Sequence, residues 1–327
     1  MKTRQLIAGK RKVSEIGLGC WQFGGDFGPM QESTAMDILA AAVESEVTFL
    51  DTADVYGAGR SEILIGRFLR TYKGAPLSVA TKVGRNGELY PDGYTKEKVR
   101  KSIEASIDRL GVEALDLIQL HCVPTEILRQ GDVFEWLREY RQAGLIRDFG
   151  ASVESVDEGL LCLRQDGLAS LQIILNLFRQ KPVRELLPHA KVRDVGIIVR
   201  LPLASGLLSG KFTTRTKFAE TDHRNFNRDG QCFNVGETFA GLPFEKGVEL
   251  ADQLKPMVPE GMTMAQMAMR WILDHDAVSV LIPGASSPEQ ARENAAVADL
   301  PRLPASLHEQ LRNYYLEHVH AEIRGPY

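Results

Sequence analysis

The sequence predicts an α/β fold, a single (β/α)8 TIM barrel domain over residues 1–327 with an N-terminal β-hairpin and an extra C-terminal helix, and three observations carry that prediction. Strand-like and helix-like segments alternate along the chain, the strand–helix units number eight, and no glycine-rich GxGxxG turn follows the first strand, as an open dinucleotide-binding sheet would show.

The opening residues read as a hairpin, with TRQLI and RKVSEI flanking AGK and Gly9 supplying the turn. Barrel strands are expected at 15–19, 47–51, 77–82, 114–121, 146–152, 171–176, 196–201 and 278–284. A segment of helical period lies between one strand and the next. In TAMDILAAAVES (34–45), Met36, Leu39, Ala40 and Val43 recur at the spacing of one buried helix face. Helices are expected likewise at 60–70, 94–110, 131–143, 155–164, 184–192, 263–274 and 287–298, with the extra one near 305–318. SPEQ marks the start of the 287–298 helix: Ser287 suits the N-cap, Pro288 the first helical position, and Gln290 the third position of a capping box. A polar run from about 203 to 237 and the tail after 318 belong to no unit. A loop that long in a compact domain is usually functional or disordered.

Composition narrows the partners. A 44% hydrophobic share with 25% charged residues is that of an ordinary globular protein, and a net charge of -4 gives no reason to expect nucleic acid or an acidic membrane surface as partner. The cysteines (Cys20, Cys122, Cys162, Cys232) are scattered with no CxxC pair, which points to a reducing compartment and away from a zinc ribbon or disulfide framework. No stretch approaches the roughly 20 apolar residues of a membrane span. The N-terminal MKTRQLIAGKRKVSEIG lacks the apolar core of a secretory signal. The expectation is a cytoplasmic protein with no nucleic-acid or membrane partner; its oligomeric state is left open.

The chemistry gathers at strand ends. In a barrel, the C-terminal ends of the strands share one mouth. Asp51 closes the second strand, Lys82 the third and His121 the fourth, and Tyr56 follows in the loop after Asp51. Singly, each has a plain structural reading: a helix cap, a solvated amine, a core imidazole. Together they fit one reaction. A phenol with a reference pKa of about 10 is a poor proton donor at neutral pH. A nearby ammonium favours the phenolate and pulls that pKa down, so Lys82 would tune Tyr56 while Asp51 holds Lys82 charged. Neutral His121 would donate a hydrogen bond to a substrate carbonyl, and Tyr56 would protonate the developing alkoxide. No residues show zinc-type spacing, so no metal is expected.

Five segments together resemble the aldo-keto reductases: DTADVYGAGRSEILIG (51–66), TKVG (81–84), LIQLHCVP (117–124), PLASGLLSGKF (202–212) and IPGASSPEQARENAAV (282–297). They run in order through nearly the whole chain, and the pattern is nearest to microbial members related to potassium-channel β subunits. The resemblance implies a (β/α)8 barrel that transfers hydride from NADPH, with NADH also possible, to a small aldehyde or ketone. It places the catalytic tetrad on Asp51, Tyr56, Lys82 and His121. An NADPH-binding regulatory protein of the β-subunit kind, with slow turnover, is the alternative. A Schiff-base lyase using Lys82 is a second rival, opposed by Asp51, which would keep the amine protonated.

The same resemblance implies where the dinucleotide lies. Its reacting end would rest at the barrel centre against Cys20, Trp21 and Asp51, with the carboxamide held by Ser152 and Gln172. Pro202, Leu203, Ser205, Gly206, Leu208, Gly210 and Lys211 would line the pyrophosphate. The N-terminus of the 287–298 helix, preceded by Gly284, Ala285 and Ser286, would take the adenosine 2′-phosphate, and Gln290, Glu293 and Asn294 would contact the adenosine. Three departures stand out. No basic residue lies between 284 and 290, leaving Lys211, Arg215 or Arg292 to supply charge. Val153 follows Ser152 where many members have Asn. Arg200 occupies the position at which many relatives stack an aromatic on the nicotinamide. A guanidinium can also stack on a ring, and its charge would favour the reduced cofactor; the other reading is an ion pair with a carboxylate in the mouth. Trp21 is expected to wall the substrate site with Phe23 beside it, the plainer reading being that Trp21 packs under a loop.

Overall fold

The computed structural model describes residues 1–7 and 11–327. Two antiparallel strands, β1 (Thr3–Ile7) and β2 (Arg11–Ser14), form the expected hairpin; its expected turn at Gly9 lies outside the described residues. Among the described residues, eight further strands follow in sheet order: β3 (Leu18–Gly19), β4 (Phe49–Asp51), β5 (Ser78–Val83), β6 (Leu115–His121), β7 (Ile146–Ser152), β8 (Leu168–Ile174), β9 (Gly196–Arg200) and β10 (Val278–Leu281). Every neighbouring pair is parallel. The two edges meet through bridges between Ile16 and Leu281 and between Gly19 and Gly284, which close the sheet on itself. The first barrel strand is shorter than expected because Ile16 reaches its neighbour only through such a bridge.

Helices connect the strands: α1 (Glu32–Glu44), α2 (Arg60–Thr71), α3 (Lys96–Leu110), α4 (Thr125–Gln130), α5 (Asp132–Gln142), α6 (Val156–Cys162), α7 (Lys181–Glu185), α8 (Leu187–Val192), α9 (His223–Phe226), α10 (Phe244–Leu254), α11 (Met264–Leu273), α12 (Pro288–Ala296) and the extra C-terminal α13 (Ala305–Tyr314). The single helix expected at 184–192 is two. Pro188, in the first turn of α8, lacks the N–H that would continue the ladder from α7. Helices α4, α9 and α10 were not expected. Yet Phe244, Gly247, Val248, Ala251 and Leu254 of α10 are buried at helical spacing, and Pro243 precedes them. No helix among the described residues is long and apolar enough to cross a membrane.

Strand alternation divides the lumen into two layers. Phe49, Ala80, Leu117, Ile198 and Val280 cluster with Leu6, Ile7 and Val13 of the hairpin, which plugs the N-terminal end of the barrel. Two residues further along β4, β5, β6 and β9, on the same inward face, stand Asp51, Lys82, Gln119 and Arg200. The apolar floor thus fixes the height and direction of the polar layer above it. Truncating fully buried Phe49 to Ala is expected to cost about 3–5 kcal/mol in urea denaturation, and a loss below about 1 kcal/mol would show that the floor collapses around the gap.

Candidate active site

The strand ends bring the expected ionisable groups into contact. Lys82 Nζ donates to Asp51 Oδ1 at 2.5 Å, to the carbonyl oxygen of Thr52 at 2.8 Å and to Tyr56 Oη at 3.2 Å. The other Asp51 oxygen, Oδ2, accepts from Gln172 Nε2 at 2.7 Å and Gln119 Nε2 at 3.2 Å. Lys82 and Asp51 are 1% and 3% exposed, so desolvation is severe and the pair persists because each donor and each carboxylate oxygen has a partner. Burial works to lower the lysine pKa, but Asp51 and Tyr56 more than offset it and raise it to about 12. An amine held so firmly protonated is no nucleophile, which removes the basis for a Schiff-base reading.

Tyr56 corrects one expectation. Burial pushes its phenol up to about 12, and the opposing pull of Lys82 only moderates the rise. The group is therefore a protonated phenol. Because Lys82 donates to its oxygen, the phenol's own hydrogen is left to point elsewhere. His121 packs edge-on to the Tyr56 ring, with centroids 5.8 Å apart. Burial first, then Lys82, Arg85 and Arg200, hold its pKa well below the usual imidazole value, so it is neutral, and its Nδ1 has no partner.

The loop carrying Tyr56 meets the loop after β3 through two glycines. A Cβ on Gly24 would lie 2.7 Å from Gly57 N, and one on Gly57, at φ 59°, would lie 2.6 Å from Gly24 O. That approach lays the Trp21 indole over Tyr56 at 5.9 Å and 22°. Trp21 Nε1 donates to Asp26 Oδ2 at 2.7 Å, and the ring also contacts Phe27, His223 and Phe233. Trp21 thus stands in a wall of the barrel mouth. Phe23 does not: it is fully buried in the core beneath.

A cavity of about 430 Å³ runs from this wall past Tyr56 and His121 to the start of α12. Of the residues expected against the dinucleotide, Cys20, Trp21, Asp51, Ser152, Gln172, Arg200, Pro202, Leu203, Ser205, Gly206, Gly284, Ser286 and Gln290 line it. Leu208, Gly210, Lys211, Glu293 and Asn294 do not. Leu208 is fully buried in the core, Lys211 and Glu293 face outward, and Asn294 Nδ2 donates to the Gly284 carbonyl at 3.1 Å. The capping of α12 also differs: Ser287 Oγ accepts from Gln290 N, but Gln290 Oε1 accepts from Ser286 N rather than from the cap residue. Ala204, Ser205 and Gly206 run consecutively through the left-handed region, a conformation costly for the first two and found where a site demands it. Arg292 pairs with Glu44 at 3.2 Å on the surface, so it is not free at the cavity.

Arg200 adopts the ion-paired arrangement. Its Nη1 lies 3.5 Å from Glu237 Oε2 and its Nη2 donates to the Val153 carbonyl at 3.2 Å. Arg85 donates to Glu237 at 3.0 Å and to Glu154 at 3.0 Å. Burial opposes ionisation of Glu237, but Arg200 and Arg85 prevail and hold its pKa below the usual carboxylate value. Cys122, Glu154 and Glu237 stand close enough to share a cation. The guanidinium groups already occupy both carboxylates, and burial pushes the thiol up to about 11. Sequence reading missed Arg85, Gln119, Glu154 and Glu237. Gln119 was readable, lying two residues before His121 on the same strand face; Glu237, in an aperiodic loop, carried no such signal.

Comparison with known proteins agrees with this geometry. Residues 15–315 match the model of the Aldo/keto reductase family. Aldo-keto reductase YhdN of Bacillus subtilis is 29% identical over 286 residues, covering 85% of this chain and 83% of that protein. The NADH-specific methylglyoxal reductase of Escherichia coli is 28% identical over 308 residues, covering 88% and 90%. The structure of glycerol dehydrogenase AKR11B4 from Gluconobacter oxydans superposes with a TM-score of 0.77 at 27% identity, covering 99% and 98%. The chain belongs to the aldo/keto reductase family and is an oxidoreductase.

Behind Tyr56, Asp54 is a buried carboxyl that burial pushes up to about 6, with Asn86 opposing, and its Oδ1 has no partner. Because its folded pKa is raised, its contribution to stability is fully present below the unfolded value near 3.9 and is lost as pH rises through about 6. A shift of two units corresponds to about 3 kcal/mol. Asp54→Asn is expected to match wild type in urea denaturation at pH 4 and to exceed it by up to that amount at pH 8; an equal difference at both values would contradict the assignment.

Proposed function

We propose that the chain reduces a small aldehyde or ketone to an alcohol with NADPH as the preferred donor and NADH as a second, and that Asp51, Tyr56, Lys82 and His121 perform the chemistry. The observation that carries the reading is Lys82 hydrogen-bonded at once to Asp51 and to Tyr56 at the head of the cavity. A bound dinucleotide would supply the hydride for the carbonyl carbon. His121, neutral, donates a hydrogen bond to the carbonyl oxygen and orients it. Tyr56 gives its proton to that oxygen as negative charge develops there, and the phenolate left behind is stabilised by the Lys82 ammonium. Asp51 keeps the ammonium charged and in place.

The cavity suits an extended dinucleotide. Ser152 and Gln172 lie at its inner end, where the carboxamide would rest, although the Gln172 amide already donates to Asp51. The left-handed Ala204–Gly206 backbone would flank the pyrophosphate, and Gly284, Ser286 and Gln290 at the start of α12 would receive the adenosine end. No basic side chain lies between 284 and 290, so charge for a 2′-phosphate would have to come from Lys211, Arg215 or Arg292, the last of which pairs with Glu44 on the surface. Tolerance of NADH accords with that sparse provision, and the Escherichia coli relative is named as specific for it.

Tyr56→Phe is expected to lower kcat for aldehyde reduction by about 10²–10⁴-fold while dinucleotide affinity stays within about two-fold. NADPH oxidation and fluorescence titration measure the two quantities. Turnover retained in the variant would remove Tyr56 as the proton donor.

A further inference from the structure

The loop that delivers Glu237 and Phe233 to the cavity has no strand or long helix to hold it. Its internal braces come from Asn227, which donates to Thr238 Oγ1 at 3.0 Å and accepts from the backbone N–H groups of Cys232 and Phe233 at 2.9 Å each. Its outer face is held by the segment 323–327. Arg324 Nε donates to the Gly241 carbonyl at 2.9 Å and Nη2 to the Leu242 carbonyl at 3.2 Å, on one stem of the loop. On the other stem, Nη1 pairs with Asp229 Oδ1 at 2.7 Å and Nη2 reaches the Arg228 carbonyl at 3.5 Å. The Arg324 backbone N–H adds a bond to the Gly241 carbonyl. One guanidinium therefore closes the base of the loop, and its planar fork of five donors suits four separate acceptors better than an ammonium would.

Where Arg324 grips it, the stem runs through three consecutive left-handed residues, Phe239, Ala240 and Gly241. Such backbone persists only where its surroundings over-determine it. The contact is also tight: a Cβ on Gly241 would stand 2.7 Å from the Arg324 carbonyl oxygen, and one on Gly325 2.8 Å from Val235 Cγ1. Beneath the tip lies Arg179, 2% exposed, whose Nη1 would be 2.0 Å from a Cβ on Gly236. Its Nη2 reaches the carbonyls of Pro326 and Glu154, and its charge sits 4.6 Å from the centroid of the Tyr327 ring. Glu154 in turn is bound to Arg85 and Asn234. The segment 323–327 thus touches the loop that walls the cavity from the side opposite the cavity itself.

We propose that Arg324 is a positioning residue for substrate binding: it pins both stems of the 228–242 loop so that Phe233 and Glu237 stand in the cavity wall. The inference rests on the reading of the cavity as a carbonyl-reduction site. Arg324 touches neither the tetrad nor the cavity lining, so its effect falls on the fit of the substrate and not on the proton transfer.

The test compares wild type with Arg324→Ala and, separately, Gly241→Ala, using NADPH oxidation with small aldehydes and hydrogen exchange. Both variants are expected to raise aldehyde KM about ten-fold, with kcat within about two-fold, and to speed exchange in 228–242 while the barrel strands stay protected. Arg324→Lys, which keeps the charge but not the fork, is expected to rescue only part of the KM. Unchanged KM with unchanged exchange, or a fall in kcat equal to the rise in KM, overturns the proposal. Should neither variant fold, exchange in wild type decides: 228–242 and 323–327 opening as one unit supports it, and opening separately overturns it. Absence of aldehyde reduction in wild type would sink the functional reading and leave the exchange comparison standing.

Discussion

A buried ammonium has to find a carboxylate and a full set of acceptors, and that requirement organises the centre of this protein. Lys82 is almost wholly out of water. Its three donors go to Asp51, to the Thr52 carbonyl and to Tyr56, and Asp51 is completed by two glutamine amides from β6 and β8. Losing either charged partner would leave the other stranded in the lumen, at a cost of about 3–5 kcal/mol. The pair thus ties β4, β5, β6 and β8 together electrostatically at the height set by the apolar floor. Tyr56 hangs from this pair. Its loop has the freedom to place the phenol there because two glycine backbones can touch.

A second set of charges spans the mouth: Arg200 at the end of β9, with Arg85, Glu154 and Glu237 from the loops after β5, β7 and β9. It performs a different electrostatic task. Two guanidinium groups stand near His121 and help keep it neutral, and Glu237 pairs with both of them. An aromatic cluster of Trp21, Phe27 and Phe233 adjoins these charges, the Phe233 ring lying 5.8 Å from the Arg85 guanidinium. The lining therefore combines apolar rings with paired charges.

Much of this was legible in the residues because strand alternation is a strict rule. Once Phe49 is read as inward, Asp51 must be inward too, and the same holds for Ala80 with Lys82 and Ile198 with Arg200. What escaped lies where no period operates. Glu237 and Phe233 sit in a loop braced by side-chain to backbone bonds, and nothing in their spacing announces that their loop turns back over the barrel. The family resemblance placed Leu208 along the pyrophosphate and nearness to Trp21 placed Phe23 at the wall, yet adjacent residues on an irregular turn face opposite ways, and both went to the core. Helix α10 was readable and overlooked, its apolar spacing being regular behind Pro243. The direction of the Tyr56 shift also escaped, because sequence shows the neighbouring charge and not the depth of burial that outweighs it.

A phenol pushed to about 12 is a secure proton donor and a reluctant phenolate, so under the proposed mechanism Lys82 stabilises the charge that appears on Tyr56 after transfer. The direct measure is a double-mutant cycle on kcat/KM with Tyr56→Phe, Lys82→Met and the two combined. If ammonium and phenol act as one unit, the double variant loses about as much as the worse single variant, since either change alone already abolishes the transfer. Losses that multiply would mean that Lys82 acts independently of Tyr56, and would contradict the mechanism.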